Sequence, residues 1–156
     1  MRPEETIDYP LRLAWNKISK LYNIEAAKYH STMATGFILL NIDKTEGTPS
    51  TKLGPLLGLE PRSLVRTLST MEHKGLIERR SDSTDKRMVR IHLTDLGSRK
   101  RDISKAFVIH LNTVIQQQIP SNKLSIFFEV LAQINNQLDK NQIFNDFTLP
   151  DKLRHI

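Results

Sequence analysis

The sequence predicts a mainly α-helical fold interrupted by one β-hairpin. Three features point there. Apolar residues recur at spacings of three and four along most of the chain. One stretch, Val89 to Leu93, alternates with period two. Gly and Pro punctuate the periodic segments at Gly47, Gly58, Gly75 and Pro120. The 156 residues fit one structural domain with extended helical ends.

Residues 9–28 form the first predicted helix, with Leu11, Ala14, Trp15, Ile18, Leu21, Tyr22 and Ala26 on one face. Residues 33–46 open with MATGFILL, apolar nearly all round, which predicts a more deeply buried helix. Gly47-Thr48-Pro49 is expected to end it as a turn. Residues 50–58, STKLGPLLG, predict a short helix with Ser50 or Thr51 as N-cap. Pro55 is tolerated there if it falls within the first turn, and Gly58 serves as the stop. Pro61 then suits the first position of another helix, whose fixed φ it matches. That helix runs to about Lys74, before Gly75.

Leu76 to Arg80, the polar SDSTDK at 81–86, and Met88 to Leu93 read as a hairpin with a long charged tip. Thr94-Asp95 caps a long helix carrying Ile103, Phe107, Leu111, Val114 and Ile115. Pro120-Ser121-Asn122 breaks it. A last helix carries Leu124, Phe127, Phe128, Leu131, Ile134 and Leu138, and residues 141–156 show no clear period. Helix–turn–helix followed by a hairpin is a winged helix–turn–helix. The fold class is thus mainly α, an α+β winged helix.

Composition removes several functions. Hydrophobic residues are 38% and charged residues 26%, enough apolar content for a packed core. Absence of Cys excludes disulfides, Cys-based zinc sites and thiol chemistry. The five histidines, His30, His73, His92, His110 and His155, lack paired i, i+4 spacing and acidic neighbours in a ligand motif, so no metal is expected. No nucleophile elbow or phosphate loop is present, so no enzyme and no cofactor are expected. No apolar run approaches about 20 residues, and the polar N-terminus lacks a signal-type stretch. A cytoplasmic location is therefore expected.

Charge is concentrated. Residues 62–105 hold twelve Lys and Arg against six Asp and Glu, a net +6 that equals the charge of the whole chain. A basic segment between neutral ones points to a polyanion, most often nucleic acid. The plainer explanation is a solvated positive face.

On a helical wheel starting at Arg62, Leu64, Leu68 and Met71 fall within about 180–240°, while Arg62, Ser63, Arg66, Thr67 and Thr70 fall within about 0–140°. The polar face suits DNA. Arg can fork onto guanine O6 and N7, and hydroxyls serve bases or phosphates. At the hairpin tip, Asp85-Lys86-Arg87 offers an arginine to the minor groove, whose potential is strongly negative. Asp85 would hold Arg87 extended through a paired hydrogen bond. Taken alone, the tripeptide reads as an ordinary polar loop.

Together these residues resemble the MarR (multiple antibiotic resistance regulator) family. The resemblance rests on Leu57-Gly58-Leu59, on Met71-Glu72-His73-Lys74-Gly75-Leu76-Ile77-Glu78-Arg79, on the Asp85-Lys86-Arg87 wing and on Leu93-Thr94-Asp95-Leu96-Gly97. Element order and length match over about residues 7–140. The resemblance implies a homodimeric regulator of transcription on a pseudo-palindromic operator in double-stranded DNA. Its first and last helices would form the dimer base. Arg62, Ser63, Arg66, Thr67 and Thr70 would face the major groove. Arg87 would enter the minor groove, with Lys86 beside it and Asp85 as anchor. Ser50, Thr51 and Lys52 would touch phosphates. The chain departs from the family pattern at Gly54-Pro55 and Glu60-Pro61.

The expected division places dimer-base helices in 1–46, the DNA-binding lobe in 47–97, dimerisation helices in 98–142 and a tail in 143–156. The resemblance also implies a small aromatic or phenolic effector that binds between the dimer base and the DNA lobes and releases the regulator. Trp15, Tyr22, His30 and Phe37, with Tyr29 nearby, are the candidate lining; aromatics at this spacing more often serve a core. The competing reading is a dimeric small-molecule-binding module with only non-specific DNA affinity.

Overall fold

The computed structural model describes residues 2–58, 60–140 and 142–151. The chain forms two compact units, residues 1–110 and 111–156. In the first unit, a single 3₁₀ turn at Pro3–Glu5 precedes α1 (Asp8–Ala27), α2 (Met33–Leu40), β1 (Thr48–Pro49), α3 (Ser50–Leu57), α4 (Pro61–His73), β2 (Ile77–Ser81) and β3 (Val89–Leu93). The long helix α5 (Asp95–Gln118) begins in this unit and ends in the second, which also holds α6 (Ser121–Asp139).

The helix expected over 33–46 is shorter, and its second half is not helical. Thr32 caps α2 by accepting from the Thr35 N–H at 3.1 Å. Beyond Leu40, side chains compete with the helix for backbone partners. Asp43 Oδ1 accepts from the N–H groups of Thr45 (2.8 Å) and Glu46 (2.7 Å), making a tight turn. The buried Thr48 hydroxyl donates to the Asn41 carbonyl at 3.2 Å and accepts from the Asp43 N–H at 2.9 Å. Thr48-Pro49 is therefore not a simple turn. It is a short edge strand pairing antiparallel with β3, Thr48 opposite Ile91. Pro is acceptable there because an edge strand has a side free of ladder bonds.

Two details of α3 also differ from expectation. Pro49 occupies the N-cap position, and neither Ser50 nor Thr51 does; Ser50 is the first helical residue. Pro55 lies in the second turn, not the first. Its ring costs the bond that an N–H there would give the Thr51 carbonyl. The helix persists because Leu53 is fully buried and anchors it. Gly58 ends it in the left-handed conformation, as the sequence indicates.

Helix α4 starts at Pro61 and ends in a Schellman motif. The Leu76 N–H donates to the Met71 carbonyl (2.9 Å) and the Gly75 N–H to the Glu72 carbonyl (2.8 Å), with Gly75 at φ 65°. Leu76 and Met71 are both buried at this junction. The chain then turns directly into the sheet, whose strand order is β1-β3-β2. Ile77 pairs with Leu93, Arg79 with Ile91 and Ser81 with Val89.

The core of this unit joins Ile38, Leu39 and Ile42 to Leu53, then to Leu64, Leu68 and Met71 of α4, and to Leu76, Ile77 and Ile91 of the sheet. Fully burying such a side chain contributes about 1.5–3 kcal/mol. Helix α4 is thus fixed by three residues on its inner face. In the second unit, α6 has no buried residue; Leu124, Leu131 and Ile134 are half-buried, while Ile126, Phe127, Phe128 and Val130 are exposed.

Candidate nucleic-acid interface

Helix α4 divides as its sequence period requires. Leu64, Leu68 and Met71 are buried. Arg62, Ser63, Arg66 and Thr70 are exposed, and Thr67 is half-buried. Arg62 and Arg66 form no ion pair with the described residues, so both guanidinium groups present their donors outward. The hydroxyls behave differently. Thr67 Oγ1 donates to the Ser63 carbonyl at 2.8 Å and Thr70 Oγ1 to the Arg66 carbonyl at 3.0 Å. Their protons are committed to the helix, leaving oxygen lone pairs and methyl groups for a ligand.

Several other cations of the basic segment are paired with acids. Arg79 Nε lies 3.1 Å from Glu72, and its Nη2 donates to Ser69 Oγ at 3.2 Å. Arg80 pairs with Glu78 on β2. Arg62 and Arg66 on the outer face of α4 are therefore among the cations of the segment that no described acid pairs, as are Lys74, Lys86, Arg99, Lys100 and Lys105.

The wing tip is organised by carboxylates. Asp85 Oδ1 accepts from the backbone N–H of Arg87 at 3.0 Å and from its Nε at 3.2 Å; Oδ2 lies 3.4 Å from Nη2. The Asp85–Arg87 pairing is therefore bidentate. The Arg87 side chain remains 91% exposed, so it is held and still projects. Lys86 beside it is exposed. In α3, Ser50 is half-buried and Thr51 and Lys52 are exposed in the first turn.

Two residues that the sequence did not single out complete the wing. Asp82 is buried and accepts from the N–H groups of Thr84 (2.8 Å) and Asp85 (3.0 Å). Arg90 Nε donates to its other oxygen. The Arg90 guanidinium, followed by the two backbone N–H groups, holds the Asp82 carboxyl well below the usual carboxylate range. The available signal was Ser81-Asp82-Ser83-Thr84, a run typical of side-chain-capped turns.

The junction after the wing explains the Leu-Thr-x-x-Gly pattern. Thr94 Oγ1 accepts from the Gly97 N–H (3.0 Å), capping α5, and donates to the Gly75 carbonyl (2.6 Å). A single hydroxyl thus ties the end of α4 to the start of α5. The Gly54-Pro55 and Glu60-Pro61 departures line an open groove of about 720 Å³ between α3, α4 and β3. Glu60 is the N-cap residue of α4, but its side chain makes no capping bond.

Three of the four aromatic candidates converge. Phe37 stacks on Trp15 with centroids 6.0 Å apart and meets Tyr22 edge-on at 5.7 Å. Burial pushes the Tyr22 phenol up from its ordinary value. The space lined by Tyr22, Phe37, Met33, Gly36 and Phe107 measures about 20 Å³, room for about one water. His30 is not part of this cluster. It sits at φ 54° in the turn that ends α1. Among the described residues, no group of three or more His, Asp or Glu could hold a metal; His155 and Leu59 lie outside them. Also among them, no helix is long and apolar enough to cross a membrane.

Residues 32–89 match the model of the MarR family. The chain's winged helix is similar to that family's over this segment. Solved structures extend the similarity of fold beyond that segment. The S. aureus MepR–DNA complex superposes with a TM-score of 0.78 at 17% identity, covering 85% of this chain and 98% of that one. The PcaV transcriptional regulator from Streptomyces coelicolor, in complex with its natural ligand, gives 0.74 at 18%, covering 87% and 96%. CouR from Rhodococcus jostii RHA1, bound to p-coumaroyl-CoA, gives 0.71 at 21%, covering 97% and 99%. The similarity of fold to these structures therefore covers more of the chain than the family model, which matches only α2 to the start of β3.

Proposed function

We propose that this chain is a homodimeric MarR-type transcription regulator that acts in the cytoplasm on a pseudo-palindromic operator. The observation that carries this is the outer face of α4, where Arg62 and Arg66 stand exposed and unpaired by any described acid above a fully apolar inner face. In this reading Arg62, Ser63, Arg66, Thr67 and Thr70 enter the major groove, the arginines forking onto guanine. Arg87, held by Asp85, enters the flanking minor groove with Lys86 at its edge. Ser50, Thr51 and Lys52 meet phosphates. MepR, similar in fold, is seen on DNA, which supports the docking mode.

Residues 1–46 and 98–142 supply the dimer base in this proposal, 47–97 the DNA-binding lobe and 143–156 the tail. Leu13, Trp15, Leu21 and Ile24 on α1 are 43–54% exposed, and Ile126, Phe127 and Phe128 on α6 are 48–58% exposed. Apolar faces of that extent mark an association surface. The effector is a small aromatic compound that opens the Trp15–Tyr22–Phe37 cluster; His30 drops out of this proposed lining. The ligands held by PcaV and CouR support an effector in general terms.

Selection from a random duplex library at moderate salt tests the function. A two-fold-symmetric enriched site is the expected result. Binding that is indifferent to sequence and erased by salt would leave the alternative, a ligand-binding module with non-specific DNA affinity.

A further inference from the structure

Arg90 is basic, lies in the basic segment and sits on β3, three residues after Arg87. It is the natural choice for another phosphate contact. The geometry points elsewhere: we infer that Arg90 and Asp82 form a strut that sets where Arg87 stands, making Arg90 a positioning residue for DNA reading and not a DNA contact. This rests on the DNA-binding reading above.

One guanidinium joins three separate pieces of chain. Nε of Arg90 donates to Asp82 Oδ2 in the wing turn. Nη1 donates to the carbonyls of Glu46 (3.1 Å) and Gly47 (3.0 Å), more than forty residues earlier. Arg90 itself is paired with Pro49 and Arg80 in the sheet. Its side chain is 27% exposed and that of Asp82 only 2%, so solvent competes poorly for these bonds. The free oxygen of Asp82 fixes the N–H groups of Thr84 and Asp85. The Asp82 N–H donates to the Met88 carbonyl and the Met88 N–H to the Asp85 carbonyl, closing the tip. Asp85 in turn grips Arg87. The series runs from the loop after α2, through Arg90 and Asp82, to Arg87 at the wing tip. A lysine could not replace Arg90, because a point charge lacks the planar fork that serves a carboxylate and two carbonyls at once.

The deciding variant is Asp82→Asn. It makes the lobe more positive, so electrostatics alone predicts tighter DNA binding. The strut predicts weaker binding, about three- to tenfold on the selected operator. Arg90→Met should lose a similar factor, and Arg90→Lys should not restore it. In an Arg87→Ala background, Arg90→Met should cost less than about twofold more. Equal or tighter binding by Asp82→Asn overturns the inference. So does a full, undiminished loss from Arg90→Met in the Arg87→Ala background, with a salt slope reduced by about one, since that marks a phosphate contact. If the wild-type chain selects no site, the DNA-binding reading fails separately. Amide exchange then decides the strut: faster exchange at Thr84 and Asp85 in Arg90→Met supports it, and unchanged protection overturns it.

Discussion

Gly97 passes so close beneath Leu76 that a Cβ on it would stand 1.8 Å from the Leu76 carbonyl oxygen. The obstructing atom is backbone, held where α4 turns into β2, so no rotamer change relieves the clash. The same carbonyl accepts from the Thr94 N–H at 3.2 Å. Gly97→Ala should therefore destabilise the lobe by about 2–4 kcal/mol, read as a lower urea midpoint with an unchanged slope. A loss below half a kcal/mol, on the order of an ordinary surface change, would mean that the α4–β2 junction yields easily.

Asp82 makes stability depend on acid in a definite direction. Its carboxyl is held below its ordinary value of 3.8, first by Arg90 and then by the Asp85 and Thr84 N–H groups. A carboxyl lowered on folding contributes fully above its unfolded value and loses that contribution as pH falls through the folded one. The difference in urea midpoint between the wild-type chain and Asp82→Asn should thus be constant from about pH 7 to pH 5 and close below about pH 4. A gap that narrows on the alkaline side instead would assign the effect to another group.

The winged lobe was legible because each of its parts has a local cause. Pro61, the Leu64–Leu68–Met71 spacing, Gly75 and the Val89–Leu93 alternation each mark one element, and all four stand where expected. The Asp85–Arg87 pair was legible for the same reason, since two residues apart is a local relation. The end of α2 was not. Asn41, Asp43 and Thr48 act jointly, and no period counts such competition. Strand β1 was hidden because two residues carry no period, and its partner lies forty residues on. The role of Arg90 was not legible because its partners Glu46 and Gly47, more than forty residues earlier, are brought near by the sheet.

Arg66 is exposed at mid-helix, one turn from Arg62 on the same outer face. Arg66→Ala should cost about 1–3 kcal/mol on the selected operator and blur preference at one base pair. Competition binding across single-base operator variants reads this directly. Equal losses on every sequence would reassign Arg66 to the phosphate backbone.

Arg87 has a side chain 91% exposed and anchored by Asp85. Its truncation should leave thermal stability nearly unchanged, because exposed pairs contribute little. Arg87→Ala should weaken binding chiefly to operators with A·T-rich flanks, where the minor groove is narrow and most negative. Identical affinities for A·T and G·C flanks in both proteins would remove the wing from base-region recognition.

The apolar faces lead to the last expectation. Phe128 is 56% exposed on α6 beside Phe127, at a ring separation of 5.4 Å. Leaving such rings in water forgoes about 25 cal/mol for each Å² that a partner could cover, and the regulator reading supplies a second copy. Light scattering should give a mass near twice the 18.0 kDa chain at about micromolar concentration, with recognition helices about 34 Å apart to meet successive major grooves. Phe128→Asp should shift the mass toward the single chain, because an unpaired charge in a dimer core is costly. Operator affinity should fall with it, since each half-site is then bound alone and the gain from linking two modules is lost. A wild-type mass of one chain, or an unaltered dimer in Phe128→Asp, would place the association surface away from this face of α6.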